Sequence, residues 1–582
     1  MEAESAEHQR THNRSSSASF SPASTRCIMI AELRWNIFDL VGPPDTPVTR
    51  TVGDLSGTGW VFFDFPRTRK TLLALALTCK LFSEPALNLL WRHLGGIEPL
   101  IRCLPQSLWK QNRGRLEFQR AMTLDDWSIF CKYNHRVRSL LNQCHRQYSR
   151  DMNYNAEIWR ALSCPPFSLP LLPNLTSLTW IEASDETLQY IQLFVTPKLT
   201  MLNISAAYLV PFTFGPSEQS IFLSIAKSCP SISHFDFGRN ADDYTESVGD
   251  TLQLWSQLTS VRTGTLSEAA ILHLSNLPSL RILKFTLPSI LISADTQKLL
   301  QRPVFCALQE LNISSRNMVF LDAFLKELTI TPKVVAFTIK DGVGSVRALP
   351  DMISRLSNAC AYNSMQQVQL NITGQPADHE ASIEAASFQP LFAFRNLRKF
   401  SLAVDVHCVV RMDDAALLKM AKAWPLLENL SITGYSHSSH RVTPHTFVLL
   451  LRHCPRLVSV AIPVNWSMID MHAIPRDVPY QGFSHNALSH LAFEGSKIEN
   501  PISIAAFISA IAPNVKSIQG DSDDEDSFED DVFSEHYPAW RMVQDLIPAL
   551  PIIREQGMRI MLNRSLQGSY SHHGVAQRGG RQ

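Results

Sequence analysis

The sequence is short of charge. Only 18% of its 582 residues are Asp, Glu, Lys or Arg, below the roughly 25% of an average soluble domain. What charge it has cancels, with 53 basic residues against 53 acidic ones. Binding to nucleic acid or to anionic lipid draws on a surplus of Lys and Arg, so neither nucleic acid nor a membrane is expected as a partner. No run of about 18 apolar residues occurs, and no membrane-spanning helix is expected. The eleven cysteines, from Cys27 to Cys454, include no CxxC pair, which argues against a zinc module or a thioredoxin-type redox pair. Their odd number and scatter suit a reducing compartment. Residues 1–27 are polar, Ser-rich and without the apolar core of a signal peptide, and they read as a disordered leader. The expected location is therefore cytoplasmic and/or nuclear.

Motifs for chemistry are missing too. There is no P-loop, no GxGxxG after a strand, no GxSxG elbow and no HExxH. His437 and His440 lie three apart in a polar stretch, and His445 and His453 lie eight apart. A zinc site needs three or four ligands, so neither pair is read as one. Asp405 and His407 would count only with a third titratable group beside them. The chain reads as a non-enzyme with no cofactor and no metal.

One repeating pattern dominates what is present. Pro, any residue, apolar, two of any, apolar, any, apolar recurs eleven times, sometimes without its Pro. Examples are Pro173 with Leu175, Leu178 and Trp180, and Pro197 with Leu199, Leu202 and Ile204. Pro332 with Val334, Phe337 and Ile339 fits, as does Pro425 with Leu427, Leu430 and Ile432. The anchors fall roughly 22–33 residues apart, near the period of leucine-rich repeats. The last two apolar positions alternate, as a strand with one buried face requires. Amphipathic helical stretches precede most strands, with Asp413 and Thr443 as expected N-caps and Pro444 suited to a first turn. One such unit cannot bury its apolar face alone, whereas stacked units bury a continuous core and line their strands into a parallel sheet. A doubly wound α/β domain would not repeat one template at near-constant spacing.

The expected fold class is therefore α/β: a leucine-rich-repeat solenoid, a curved parallel sheet with outer helices, over 166–520. The acidic run at 521–536 reads as a loop, where Ser522 and Ser527 precede acidic residues and are candidate phosphorylation sites. Residues 537–564 read as a C-terminal helical cap and 565–582 as a disordered tail. Residues 96–165 read either as a helical linker or as degenerate first repeats.

At the front, Ile30, Leu33, Ile37 and Leu40 share one helical face. A Gly-, Pro- and Thr-rich insertion at 42–69 interrupts the helical pattern, which resumes to about Leu94, with Pro85 expected to start a further helix. The segment 28–95 resembles an F-box. Its first half is similar to "LPxEIxxxIFxxL" through Leu33, Ile37, Phe38 and Leu40. Its second half is similar to "LxxLxxVCKxFxxxAxxxLWRxL" through Leu72, Leu75, Leu77, Cys79, Lys80, Phe82 and Trp91. The match departs from the family at Ile30-Ala31, where Leu-Pro is usual, and in its long insertion. The repeats resemble the irregular leucine-rich repeats of fungal F-box proteins, "CPxLxxLxI", most closely at Cys229-Pro230 and Cys454-Pro455.

The resemblance implies an all-α F-box-like module that docks a Skp-type adaptor, and through it a cullin. The chain would then be a substrate-recognition adaptor in ubiquitin-dependent protein degradation. Leu33, Ile37, Phe38, Leu40, Leu72, Leu75, Leu77 and Phe82 are the candidate adaptor-binding residues. Thr200, Asn203, Asn312, Ser314, Ser431 and Thr433, beside buried strand positions, are candidates for contact with an unknown protein target. The alternative is a leucine-rich-repeat scaffold without a ligase role, whose front helices only cap the array.

Overall fold

Several helices in this chain stop just ahead of a proline, and a strand begins a few residues later. In the computed structural model Trp424, Cys454 and Ala512 close their helices with φ of −121°, −117° and −140°, and each is followed by Pro. The proline ring crowds helical backbone in the residue before it, so one residue pair ends the helix and aims the chain at the sheet. Where Cys306 stands in place of Pro, Phe305 makes the turn with φ of 53°. A left-handed non-glycine residue costs about 1–2 kcal/mol, and burial of the Phe305 ring offsets that cost.

The structure describes residues 30–41, 66–112, 115–142, 156–182, 188–206, 216–238, 245–326, 328–340, 342–374, 381–404, 408–434, 442–468, 482–493, 496, 498–520 and 537–573. They belong to two compact units, Met1–Leu199 and Thr200–Gln582. The expected leader, nearly all of the insertion and the acidic run lie outside the described residues. Among those described, no helix is long and apolar enough to cross a membrane.

The first unit opens with helices Ala31–Val41, Pro66–Thr78 and Lys80–Arg92. The second begins at Pro66, inside the expected insertion, because Pro has no N–H to lose in a first turn. Extended backbone at Cys79 (φ −159°, ψ 161°) separates the second helix from the third. Pro85 lies within that third helix rather than starting it. Burial of Ala86 and Leu89 holds this turn helical although Pro85 cannot donate to the carbonyl four residues back. The helix runs straight into strand His93–Leu94, which pairs in parallel with Ser139–Asn142, and that strand pairs with Ser177–Glu182. Leu94, Leu140 and Leu178 stand in line and are buried. The stretch between the front helices and Pro173 thus holds a helix, Leu124–Asn134, and a strand of the repeat type. A β-hairpin, Trp109–Asn112 with Arg115–Phe118, is added to it. The helix starts in a capping box: Thr123 accepts from the Asp126 N–H, and the Asp126 carboxylate accepts from the Thr123 N–H.

The second unit stacks twelve parallel strands among its described residues, from Met201–Ala206 to Ser517–Gln519. Leu202, Phe235, Val261, Leu283, Leu311 and Val335 pair in line, and the column continues through Val368, Phe400, Leu430, Val460 and Leu491 to Ile518. None of these twelve is more than 2% exposed, and each contributes about 1.5–3 kcal/mol through burial. This is the leucine-rich-repeat architecture.

Two rungs escape the sequence template. Ser260–Thr265 has Ser256 in the Pro position and Thr263 at the third apolar position; Gln367–Ile372 has Asn363 in the Pro position. A third is offset. Val335, not Phe337, pairs with Leu311, and Phe337 pairs with Ile313. Side chains alternate with period two, so a template slipped by two residues still matches the same face.

Short polar links tie two of the repeat helices to the next. Glu268 accepts from the Ser293 N–H at 2.8 Å and from the Ser293 and Thr296 hydroxyls at 2.5 Å, at the N-cap of helix Ala294–Leu300. Asp414 accepts from the N–H and hydroxyl of Thr443, the N-cap of helix Pro444–His453, at 2.8 and 2.9 Å. Asp413 caps its own helix through the Ala416 N–H. The indoles of Trp255 and Trp424 donate to the Cys229 and Leu391 carbonyls one repeat earlier. Cys454 is a buried hydrophobe whose thiol is pushed up to about 12 by burial.

Strand length falls toward the end, from six residues in Asn429–Gly434 to three in each of the last three strands. Helix Tyr537–Leu546 then sets Trp540 against Gly520 so closely that a Cβ at Gly520 would lie 2.3 Å from the Trp540 side chain. The final helix spans Ala549–His573 and so continues beyond residue 565, where a tail was expected.

Candidate functional site

Two surfaces carry the residues singled out from the sequence. The first is on the front helices. Phe38 and Leu72 are buried at 4% and 1%, and with Ala86 and Leu89 they form the small core that joins the three helices; Leu75 and Phe82 pack against it half-buried. Phe38 and Phe82 meet edge to face with centroids 5.6 Å apart. Leu33, Ile37, Leu40 and Leu77 are 41%, 46%, 88% and 79% exposed. The eight candidates therefore divide into four that hold the helices together and four that face outward. Ile30, Leu73 and Leu81 are also exposed. The apolar stripe at 30, 33, 37 and 40 lies open, while Phe38, off that stripe, supplies the packing contact.

The third front helix faces the repeats of its own unit. Arg136 donates to Glu84 at 2.8 and 3.1 Å and also to Asn88, and Trp91 stacks on Tyr133 at 4.6 Å. The Arg136 guanidinium holds the Glu84 carboxyl below its usual range.

The second surface is the open face of the twelve-stranded sheet, where strand residues between the buried ones point away from the core. Asn203, Asn312, Ser314, Ser431 and Thr433 lie in phase with this face. Thr200 sits just ahead of its strand, in phase with Leu202 and Ile204, and its carbonyl accepts from the N–H groups of Ser233 and His234. The candidates do not converge. Asn203 and Ser431 are eight rungs apart, which is about 38 Å along the sheet at about 4.8 Å per rung. The Asn203 Oδ1 is buried and accepts no hydrogen bond among the described residues.

The open face holds a feature that the sequence pattern passed over. Asp236, Arg262 and Lys284 occupy one column on three successive rungs, with Arg262 directly beside Lys284. Glu310 stands on the next rung, two residues before Asn312, which continues that column. His234 is on the Asp236 strand. All five are half-buried. Burial, and then the Arg262 charge, lowers the Lys284 ammonium below the usual lysine range, while Asp236 and Glu310 act in the opposite direction. Burial and Arg262 likewise lower His234. Lys284, flanked by Leu283 and Phe285 in a template match, was legible from the sequence; Arg262 lies on a rung that the template missed.

Ser522, Ser527, Asp405, His407, His437 and His440 lie outside the described residues. His445 and His453 are exposed on helix Pro444–His453. Among the described residues, no group of three or more His, Cys, Asp or Glu is placed to hold a metal ion.

No known protein family matches the chain, and no curated protein matches it. Among solved structures, it is similar to an internalin (inlF) of Listeria monocytogenes, at 12% identity and a TM-score of 0.30, over 60% of this chain and 81% of that one. It is also similar to the leucine-rich-repeat ectodomain of the Arabidopsis thaliana receptor kinase GASSHO1/SCHENGEN3, at 12% identity and a TM-score of 0.22. That match covers 60% of this chain and 47% of the receptor chain.

Proposed function

We propose that this protein is a non-catalytic recognition subunit that uses two surfaces. The front helices dock a Skp-type adaptor, and through it a cullin ubiquitin ligase. The open face of the repeat sheet holds a protein target. The observation that carries this reading is the outward stripe of Leu33, Ile37 and Leu40 on the first front helix, with Leu77 exposed on the second, residues that also match the F-box pattern. Exposed apolar side chains gathered on one face mark a docking surface. No cofactor, nucleic acid or membrane enters this function, and its setting is the cytoplasm or the nucleus.

A specific observation favours a second reading, a repeat scaffold whose front helices serve only as its cap. Arg136 with Glu84 and Trp91 with Tyr133 make helix Lys80–Arg92 part of the repeat packing. That contact accounts for the third helix but not for the exposed stripe on the first.

Co-purification with a Skp-type adaptor separates the two readings. The wild-type chain should co-elute with the adaptor, and a Leu33→Asp/Leu77→Asp double variant should fold equally well and lose it. A folded wild-type chain that does not retain the adaptor would leave the scaffold reading.

A further inference from the structure

Strand Gln367–Ile372 carries three carboxamides in a row. Gln367, Gln369 and Asn371 alternate with the buried Val368, Leu370 and Ile372, so all three lie on the open face. Each is half-buried, and none of the three side chains forms a hydrogen bond among the described residues. The neighbouring rungs set short side chains beside them. Ala336 and Thr338 pair with Gln369 and Asn371 on one side, and Ser401 and Ala403 pair with them on the other. Of the six positions paired with the three carboxamides, only Lys399, beside Gln367, is charged. A half-buried amide that engages neither its donors nor its acceptor is a cost to the fold. Here that cost is repeated three times on one strand, where short neighbours leave the amides accessible.

We infer that Gln367, Gln369 and Asn371 hold an extended, uncharged peptide segment of the target protein by its main chain. The inference rests on the target-holding role proposed above for the open face. In an extended chain the N–H and C=O of one residue point to the same edge, and every second residue repeats that pair. The repeat is about 6.6 Å, which is also the spacing of the three carboxamides along their own strand. A carboxamide offers an acceptor oxygen and two donor hydrogens. Each can therefore accept from the N–H and donate to the C=O of one peptide residue, and the row can serve three alternate residues at once. A helix does not suit this row, because its own turns already use its main-chain groups. A charged side chain laid among Ala336, Thr338, Ser401 and Ala403 would lose water without gaining a partner. Short side chains on both flanking rungs leave space for the peptide to lie along the row.

Full-length protein is titrated with a fluorescent peptide of alternating Thr and Ser, with its fully N-methylated counterpart and with a helical peptide of Ala and Gln. The Thr-Ser peptide should bind. The N-methylated peptide has lost its donors and should bind about tenfold more weakly or worse, and so should the helical one. Raising salt should leave the affinity for the Thr-Ser peptide unchanged, since no charge pair is formed. A variant carrying Gln367→Ala, Gln369→Ala and Asn371→Ala should lose the preference for the unmethylated peptide and stay folded, because these side chains hold no hydrogen bond of the fold. Gln369→Ala alone should lose part of that preference. Gln519→Ala, on the last rung of the same face, should keep it. Absent binding, equal binding of the parent and N-methylated peptides, tighter binding of the helical peptide, or a preference that survives the triple variant would overturn the inference. Adaptor co-elution by the same triple variant keeps this outcome separate from failure of the ligase reading, which depends on Leu33 and Leu77.

Discussion

Helix Ala31–Val41 and helix Pro444–His453 are nearly equal in length and both rich in apolar residues, yet they place them oppositely. The repeat helix buries Phe447, Val448, Leu450 and Leu451. The front helix leaves Leu33, Ile37 and Leu40 exposed and buries Phe38. A repeat helix has a neighbour on each side to cover it, and stacking uses up its apolar stripe. Among the described side chains of the front helix, Phe38, off the stripe, is the one that is buried. An apolar stripe in a sequence therefore has two outcomes, and the number of packing partners decides which one is realised.

Substitutions can test that contrast, and the largest effect belongs to the repeats. Trp424→Ala should cost about 3–5 kcal/mol in denaturant unfolding, since it empties a fully buried site and leaves the Leu391 carbonyl without its donor. Leu40→Ala, a comparable truncation on the front helix, should change stability by less than about 0.5 kcal/mol; an equal loss at both sites would break the contrast. A smaller effect sharpens it within one helix. Phe38→Ala should cost about 3 kcal/mol and Leu33→Ala almost nothing, read as protease sensitivity of the front helices.

The third prediction concerns acid. The Arg120 guanidinium, which donates to Asp126 at 2.6 and 3.0 Å, together with the Thr123 N–H and hydroxyl, holds the Asp126 carboxyl well below its usual range. A carboxyl depressed in the folded state stabilises fully above its unfolded pKa of about 3.9 and loses that contribution as pH falls below it. Asp126→Asn should therefore lower stability at neutral pH and flatten the melting-temperature profile below about pH 4. The smallest effects should come from the links between repeats. Asp414→Ala should cost about 1 kcal/mol through its two bonds to Thr443. Breaking the exposed Arg398–Glu428 pair should cost less than about 0.5 kcal/mol.

Much of the fold was legible from spacing alone, because a parallel repeat sheet writes the same apolar positions at every rung. Leu202, Leu311, Leu430 and Leu491 were placed correctly by the template. Legibility failed where chemistry departed from it, at Thr263 and at Asn363, and where period-two alternation hid a two-residue slip after Pro332. The functional surfaces were less legible. The F-box resemblance put Leu33 and Phe38 in one list, but it cannot tell which side of a helix finds a partner. The juxtaposition of Arg262 and Lys284 was invisible because residues 22 apart in sequence become neighbours only once the register is known.

The shortening of the strands toward Ser517–Gln519 bears on how the protein behaves when crowded. A sheet edge is a row of open donors and acceptors that can recruit another chain, and longer, flatter edges recruit better. Here the terminal strand is three residues long, and Trp540 lies over the glycine that follows it. A second molecule finds few groups here to extend the ladder, so the short last strand blunts this edge against pairing with another chain.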